Sequence, residues 1–140
     1  KLASEFEESV LKSLDLNKKR LFKTSRLRRQ VALQGEPRHR LLDAIAEGED
    51  IHYLIEIKYY QRRLSIRKAL DQVCHLSSSY SNYLEERDIA VDVCPVLVLP
   101  KETAEENIIR GVPILAFDKE ENMFTNIEGF KSAIDEAGYF

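Results

Sequence analysis

The chain has 140 residues, of which 44% are hydrophobic, enough apolar material for one domain, spanning residues 1–140, with a buried core. This composition excludes intrinsic disorder, and no apolar run is long enough to span a membrane. Two distant cysteines, Cys74 and Cys94, give no CxxC spacing, so neither a zinc site nor a disulfide framework is expected. With no secretory signal visible, we expect a cytoplasmic protein, and the first residue, Lys1, suggests a piece of a longer or processed chain.

The net charge of −3 hides an asymmetry along the chain. Residues 1–84 carry a net charge of +5 and residues 85–140 a net charge of −8. Between positions 18 and 40, nine Lys and Arg residues stand against one acid, Glu36. Such a block can face a phosphate backbone, or it can be a solvated face that balances the acidic half, and charge alone leaves both open.

The first predicted element is a helix over residues 2–16. Ala3, Phe6, Val10 and Leu14 recur at helical spacing. Glu7 falls inside this apolar sector, which is unusual for an acid. Its carboxylate either reaches solvent from the flank of the helix or serves a site.

Three strands should follow this helix. Residues 20–33 are predicted to form a strand or hairpin arm, residues 34–37 a turn, and residues 40–46 a second strand. The polar turn at residues 47–50 then leads into a third strand at residues 51–60, so the second and third strands should pair as an antiparallel hairpin.

A helix and two further strands complete the predicted sheet. Ser65 is a plausible N-cap of a long helix that ends near residue 86, and residues 91–99 read as a strand. A strand–helix–strand unit implies a parallel pair. We expect a short helix over residues 101–110 with Gly111 beyond its end, and a strand over residues 112–117 that Pro113 places at an edge.

A closing helix should begin at a capping box formed by Thr125 and Glu128. The fold class is therefore α/β, with a mixed five-stranded sheet flanked by helices.

The third strand carries the most informative pattern. Ile55, Ile57 and Tyr59 share one face, while Glu56 and Lys58 share the other with apolar neighbours. Both faces look covered, and a buried charge is costly unless it is paired, hydrogen-bonded or bound to a metal.

Asp43, on the preceding strand, supplies a second carboxylate. The hairpin turn should bring it near Glu56, and Lys58 lies two residues along the same face. Mg²⁺ commonly takes one or two carboxylates together with phosphate oxygens, so a cation here would account for the charges. Lys58 could then orient or deprotonate a metal-bound water.

Asp43 followed by Glu56-Ile57-Lys58, with this order of elements, resembles the PD-(D/E)XK nuclease superfamily, which has the restriction-endonuclease-like fold. The resemblance covers residues 2–99, although Leu42 stands where the nominal motif has Pro. It implies Asp43 and Glu56 as ligands of Mg²⁺ or Mn²⁺, the carbonyl of Ile57 as a further ligand and Lys58 as the catalytic lysine. Glu7 would be an added acid from the first helix, and Gln72 would flank the site.

The resemblance implies a nuclease domain that hydrolyses phosphodiester bonds in DNA. The expected DNA-binding residues are Arg26, Arg28, Arg29, Arg38, Arg40, Arg62, Arg63 and Arg67. Three alternatives stay open. Glu56 and Lys58 could be an ordinary surface ion pair. The chain could be a catalytically inactive nuclease-fold module for nucleic-acid binding or protein interaction in a larger assembly, or it could be a homodimeric interaction domain.

Overall fold

A computed structural model describes residues 2–33, 41–59 and 65–139, and these residues form three helices and seven strands. The helices are α1 (Leu2–Phe22), α2 (Ile66–Glu86) and α3 (Ile127–Glu136). The strands are β1 (Leu27–Ala32), β2 (Leu41–Glu47), β3 (Ile51–Ile57), β4 (Asp92–Pro100), β5 (Ile108–Ile109), β6 (Val112–Asp118) and β7 (Met123–Phe124). No described helix is long and apolar enough to cross a membrane.

The strands form one mixed sheet in the order β1-β2-β3-β4-β6-β5, with β7 also paired to β6. The pairs β1–β2 and β2–β3 are antiparallel, and the pairs β3–β4 and β4–β6 are parallel. Helix α2 connects the parallel strands β3 and β4. The predicted α/β class is confirmed, and the five longer strands are those expected, with β5 and β7 as short additions.

Apolar residues cover both faces of the sheet. On one face, Phe6 of α1 and Phe130 of α3 belong to the same buried cluster as Phe117 of β6. On the other face, α2 contributes Val73 and Leu76 to two further clusters that include residues of β2, β3, β4 and β6. The central strands are therefore buried from both sides, which leaves β3 almost no access to water.

The first helix is longer than predicted. It continues to Phe22, so residues 20–22, which we expected in a strand, are helical. The reason is visible in the packing, because Leu21 and Phe22 are buried and extend the apolar stripe of Val10 and Leu14.

The predicted helix over residues 101–110 is wrong. Residues 101–103 form a turn, and Ile108 and Ile109 pair with β6 as strand β5. Gly111 follows in the left-handed region, with φ of +80°, so it serves the β5–β6 turn and not a helix end.

The edge position predicted from Pro113 is also wrong, because β6 pairs with β4 on one side and with β5 and β7 on the other. Pro113 precedes the first residue of the ladder with β4, which begins at the Leu97–Ile114 pair. Its missing N–H therefore removes no bond from that ladder.

The capping box at Thr125 and Glu128 does not form. Helix α3 has Asn126 at its N-cap position with no side-chain cap hydrogen bond. The Asn126 side chain instead accepts a hydrogen bond from the backbone N–H of Ala116 (2.8 Å) and donates to the carbonyl of Ile114 (2.9 Å). The amide thus fastens the start of α3 to strand β6.

Asn126→Ala should lower the free energy of unfolding by about 1–3 kcal/mol, because it leaves a buried N–H and a buried carbonyl of β6 without their partner. Thr125→Ala is the control, since its hydroxyl makes only a 3.5 Å contact, and it should change stability by less than about 0.5 kcal/mol. Urea unfolding of both variants checks the difference. If Thr125→Ala lowers the free energy of unfolding as much as Asn126→Ala does, the predicted capping box would be supported after all.

Candidate active site

Strands β2 and β3 part at the position of Asp43 and Glu56. Among these described residues their pairing runs from Glu47–His52 to Ala44–Ile55 and stops there. Strand β2 nevertheless continues to Leu41 against β1, and β3 continues to Ile57 against β4. The sheet therefore forks between its second and third strands.

The two carboxylates occupy this fork and bind the backbone of the opposite strand. The N–H of Ile57 donates to Asp43 Oδ2 at 2.7 Å, and the N–H of Asp43 donates to Glu56 Oε1 at 3.3 Å. Each acid thus satisfies a backbone donor at a place where ladder pairing has ended. This exchange ties each carboxyl group to the backbone of the opposite strand.

Lys58 completes the group from the end of β3. Its Nζ lies 3.5 Å from Glu56 Oε2, and its backbone N–H donates to the carbonyl of Val98 at 3.0 Å. The Glu56 side chain is only 3% exposed, whereas that of Lys58 is 26% exposed. The Lys58 ammonium therefore lies between the buried Glu56 carboxylate and the solvent, and it does not point into open water.

Burial sets the protonation of both acids. Desolvation, followed by the charge of Glu56, raises the pKa of Asp43 from 3.8 to about 8, although the Ile57 N–H opposes the shift. Burial likewise raises the pKa of Glu56, against the opposing effect of the Lys58 charge. Without a bound cation, these raised pKa values favour a proton on the Asp43–Glu56 pair near neutral pH.

A third acid, Glu7, approaches from helix α1. It is half-buried, and its carboxyl group lies near that of Asp43, where it contributes to the raised pKa of Asp43. Its Oε1 also accepts a hydrogen bond from Gln30 Nε2 at 2.9 Å. The helical position that placed Glu7 among apolar residues therefore brings it to the edge of the fork.

The donor set suits a hard divalent cation. Glu56 is buried and Asp43 is half-buried, and both offer carboxylate oxygens at a place where an uncompensated charge is costly. In the described part of the chain, no three His, Cys, Asp or Glu side chains are grouped so that they could hold a metal ion. Protein carboxylates would thus supply only part of a coordination shell, as is usual for Mg²⁺.

The arginines predicted to bind DNA are partly engaged within the protein. Arg28 binds Glu47 through two hydrogen bonds of 3.1 Å, Arg26 lies 4.0 Å from the same acid, and Arg29 pairs with Glu8 of α1. Arg67 is exposed at the start of α2.

Arg38, Arg40, Arg62 and Arg63 lie outside the described residues.

Of the other predicted residues, Ile57 joins the site through its backbone N–H, and Gln72 is half-buried on α2, outside this hydrogen-bonded group. Sequence reasoning missed Gln30. The residue type gives no signal of this role, because the position of the Gln30 side chain depends on a backbone conformation that Gln rarely adopts.

No protein-family model matches the chain, and no curated protein sequence matches it. Its fold is similar to the crystal structure of an XisH family protein from Nostoc punctiforme PCC 73102, with a TM-score of 0.51. The two share 16% identity, and the match covers 86% of this chain and 96% of the other. Since identity is low, the similarity concerns the fold, which is the α/β restriction-endonuclease-like core expected from the sequence.

Asp43→Asn should stabilise the metal-free protein increasingly as the pH rises. With a pKa raised from 3.8 to about 8, Asp43 holds a proton in the folded chain that the unfolded chain has already lost. Wild-type stability should therefore fall relative to the variant between about pH 4 and pH 8, by a few kcal/mol in order of magnitude, and then stay level.

Thermal unfolding in EDTA across this pH range measures the difference. Asn keeps an oxygen for the Ile57 N–H, so the comparison isolates the charge. A difference that does not change with pH would contradict the raised pKa.

Proposed function

We propose that this chain is a metal-dependent nuclease domain of the PD-(D/E)XK superfamily that hydrolyses phosphodiester bonds in DNA. The observation that carries the proposal is the shielded fork, in which Asp43 and Glu56 face each other across two parting strands with Lys58 beside them. Two carboxylates and an ammonium at one such place fit phosphodiester hydrolysis better than they fit a structural ion pair. The similarity of the fold to an XisH family protein supports the same superfamily.

Asp43 and Glu56 would hold Mg²⁺ or Mn²⁺, with Glu7 adding negative charge at the edge and the carbonyl of Ile57 as a further candidate ligand. When bound, the cation supplies Lewis-acid polarisation of a phosphoryl oxygen and lowers the pKa of a bound water. The crossed hydrogen bonds of the fork hold the two carboxyl groups in place before any ligand arrives, so little reorganisation is needed.

Lys58 would act on the phosphate. Its ammonium is already held 3.5 Å from Glu56 and is open to solvent on one side. From this position it can counter the charge that develops on the phosphoryl oxygens and can orient the attacking water.

The DNA backbone would follow the arginines, namely Arg26, Arg28, Arg29, Arg67 and those at positions 38, 40, 62 and 63. Since Arg28 and Arg29 are bound to Glu47 and Glu8, phosphate would have to compete with these acids. Binding through these arginines should weaken steeply with added salt.

Asp43→Asn, Glu56→Gln and Lys58→Met should each reduce Mg²⁺-dependent cleavage of plasmid and branched DNA on the order of 100-fold, because each removes charge from the fork while keeping side-chain size. The matched control is Asp118→Asn. Asp118 is also a buried carboxylate with a lysine partner, Lys101, at 2.9 Å, but it lies at the end of β6.

The control should keep its cleavage rate at a temperature where it is folded. Unchanged cleavage in all three fork variants would remove the catalytic assignment.

A catalytically inactive nuclease-fold module is the second candidate. Two observations favour it: Glu56 already has a cationic partner in Lys58, and the arginines of β1 already have acidic partners. Salt-sensitive DNA binding without cleavage at any Mg²⁺ or Mn²⁺ concentration would select this module. If the chain neither binds nor cleaves DNA, a protein-interaction domain is the remaining explanation.

A further inference from the structure

Strand β1 has an unusual backbone at Gln30, directly across from Asp43. Its φ is +49°, in the left-handed region that residues other than Gly, Asn and Asp seldom adopt. The neighbouring pairs Arg29–Ala44 and Val31–Leu42 keep one register, so Gln30 and Asp43 occupy the same level of the β1–β2 ladder. A strained residue thus lies beside the candidate site.

This conformation reverses the side-chain alternation of β1. Arg29 reaches Glu8 of α1, so a regular strand would turn Gln30 to the opposite face of the sheet. Gln30 instead reaches Glu7 on the same helix, and Val31 then packs with the α2-side cluster. The positive φ is therefore what aims the Gln30 amide at α1.

The amide ends a chain of contacts that leads into the fork. Gln30 Nε2 donates to Glu7 Oε1 at 2.9 Å, the Glu7 carboxyl group lies near that of Asp43, and Asp43 accepts from the Ile57 N–H. Glu7 is a long, half-buried side chain on a helix surface, so without this donor it could turn to solvent. One hydrogen bond restricts it to the side of Asp43.

We propose that Gln30 is a positioning residue that holds Glu7 beside Asp43 and thereby raises the affinity of the Asp43–Glu56 pair for a divalent cation. The proposal rests on the proposed function, since it takes the fork to be a cation site. Gln30 itself touches neither the cation nor the substrate. It acts through Glu7, as hydrogen-bonding partners of metal ligands do elsewhere.

The test is calorimetric titration of the full chain with Mn²⁺ alone, comparing wild type with Gln30→Gly and Gln30→Asn. Both substitutes tolerate a positive φ, but Gly has no amide side chain and that of Asn is shorter, so both should bind Mn²⁺ about tenfold more weakly. The melting temperature of Gln30→Gly should not fall, because Gly adopts this φ without strain.

Two further variants separate positioning from simple packing of α1 on β1. Glu8→Gln removes the charge from the neighbouring ion pair between the same two elements, with Arg29, and should change Mn²⁺ affinity by less than about twofold. In a Glu7→Ala background, Gln30→Gly should have no further effect, because the side chain through which Gln30 acts is already absent.

Normal Mn²⁺ binding by Gln30→Gly would overturn the proposal and leave the metal site standing. Equal losses of Mn²⁺ affinity in Gln30→Gly and Glu8→Gln would also overturn it, because they would indicate that the packing of α1 on β1 sets the affinity. Failure of the wild type to bind Mn²⁺ would overturn the proposed function together with this inference.

Discussion

The parting of β2 and β3 is the constraint on which the rest of the structure depends. Where ladder pairing stops, each strand would leave a backbone donor without a partner, and the carboxylates of Asp43 and Glu56 take these donors crosswise. Packing on both faces of the sheet leaves Glu56 buried and Asp43 half-buried, so both carboxylates have limited access to water. Burial then raises their pKa values, and the same burial makes a divalent cation a favourable partner.

Much of this arrangement could be predicted from the sequence. The alternation of β3 placed Glu56 and Lys58 on one face, and the short turn after β2 brought Asp43 to the same place. These predictions depend on local periods and on one tight turn, which a sequence displays directly. The helical angle of Glu7 likewise indicated its direction before any packing was known.

The remaining features could not be predicted, because they depend on contacts between distant segments. Ile108 and Ile109 form a strand because β6 offers a pairing partner. The Asn126 side chain does not cap α3 because it hydrogen-bonds to the backbone of β6. The arginines of β1 are paired with acids 19 and 21 residues away. Gln30 departs from a regular strand in a way that its residue type does not favour.

The most direct test of the account counts protons released when the fork takes up a cation. Calorimetric titration with Mg²⁺ or Mn²⁺ at pH 7, in buffers of different ionisation enthalpy, gives this number. With the pKa of Asp43 at about 8, we expect release of about one proton for each ion bound, and no release from Asp43→Asn. Cation binding without proton release, or equal release from the variant, would contradict it.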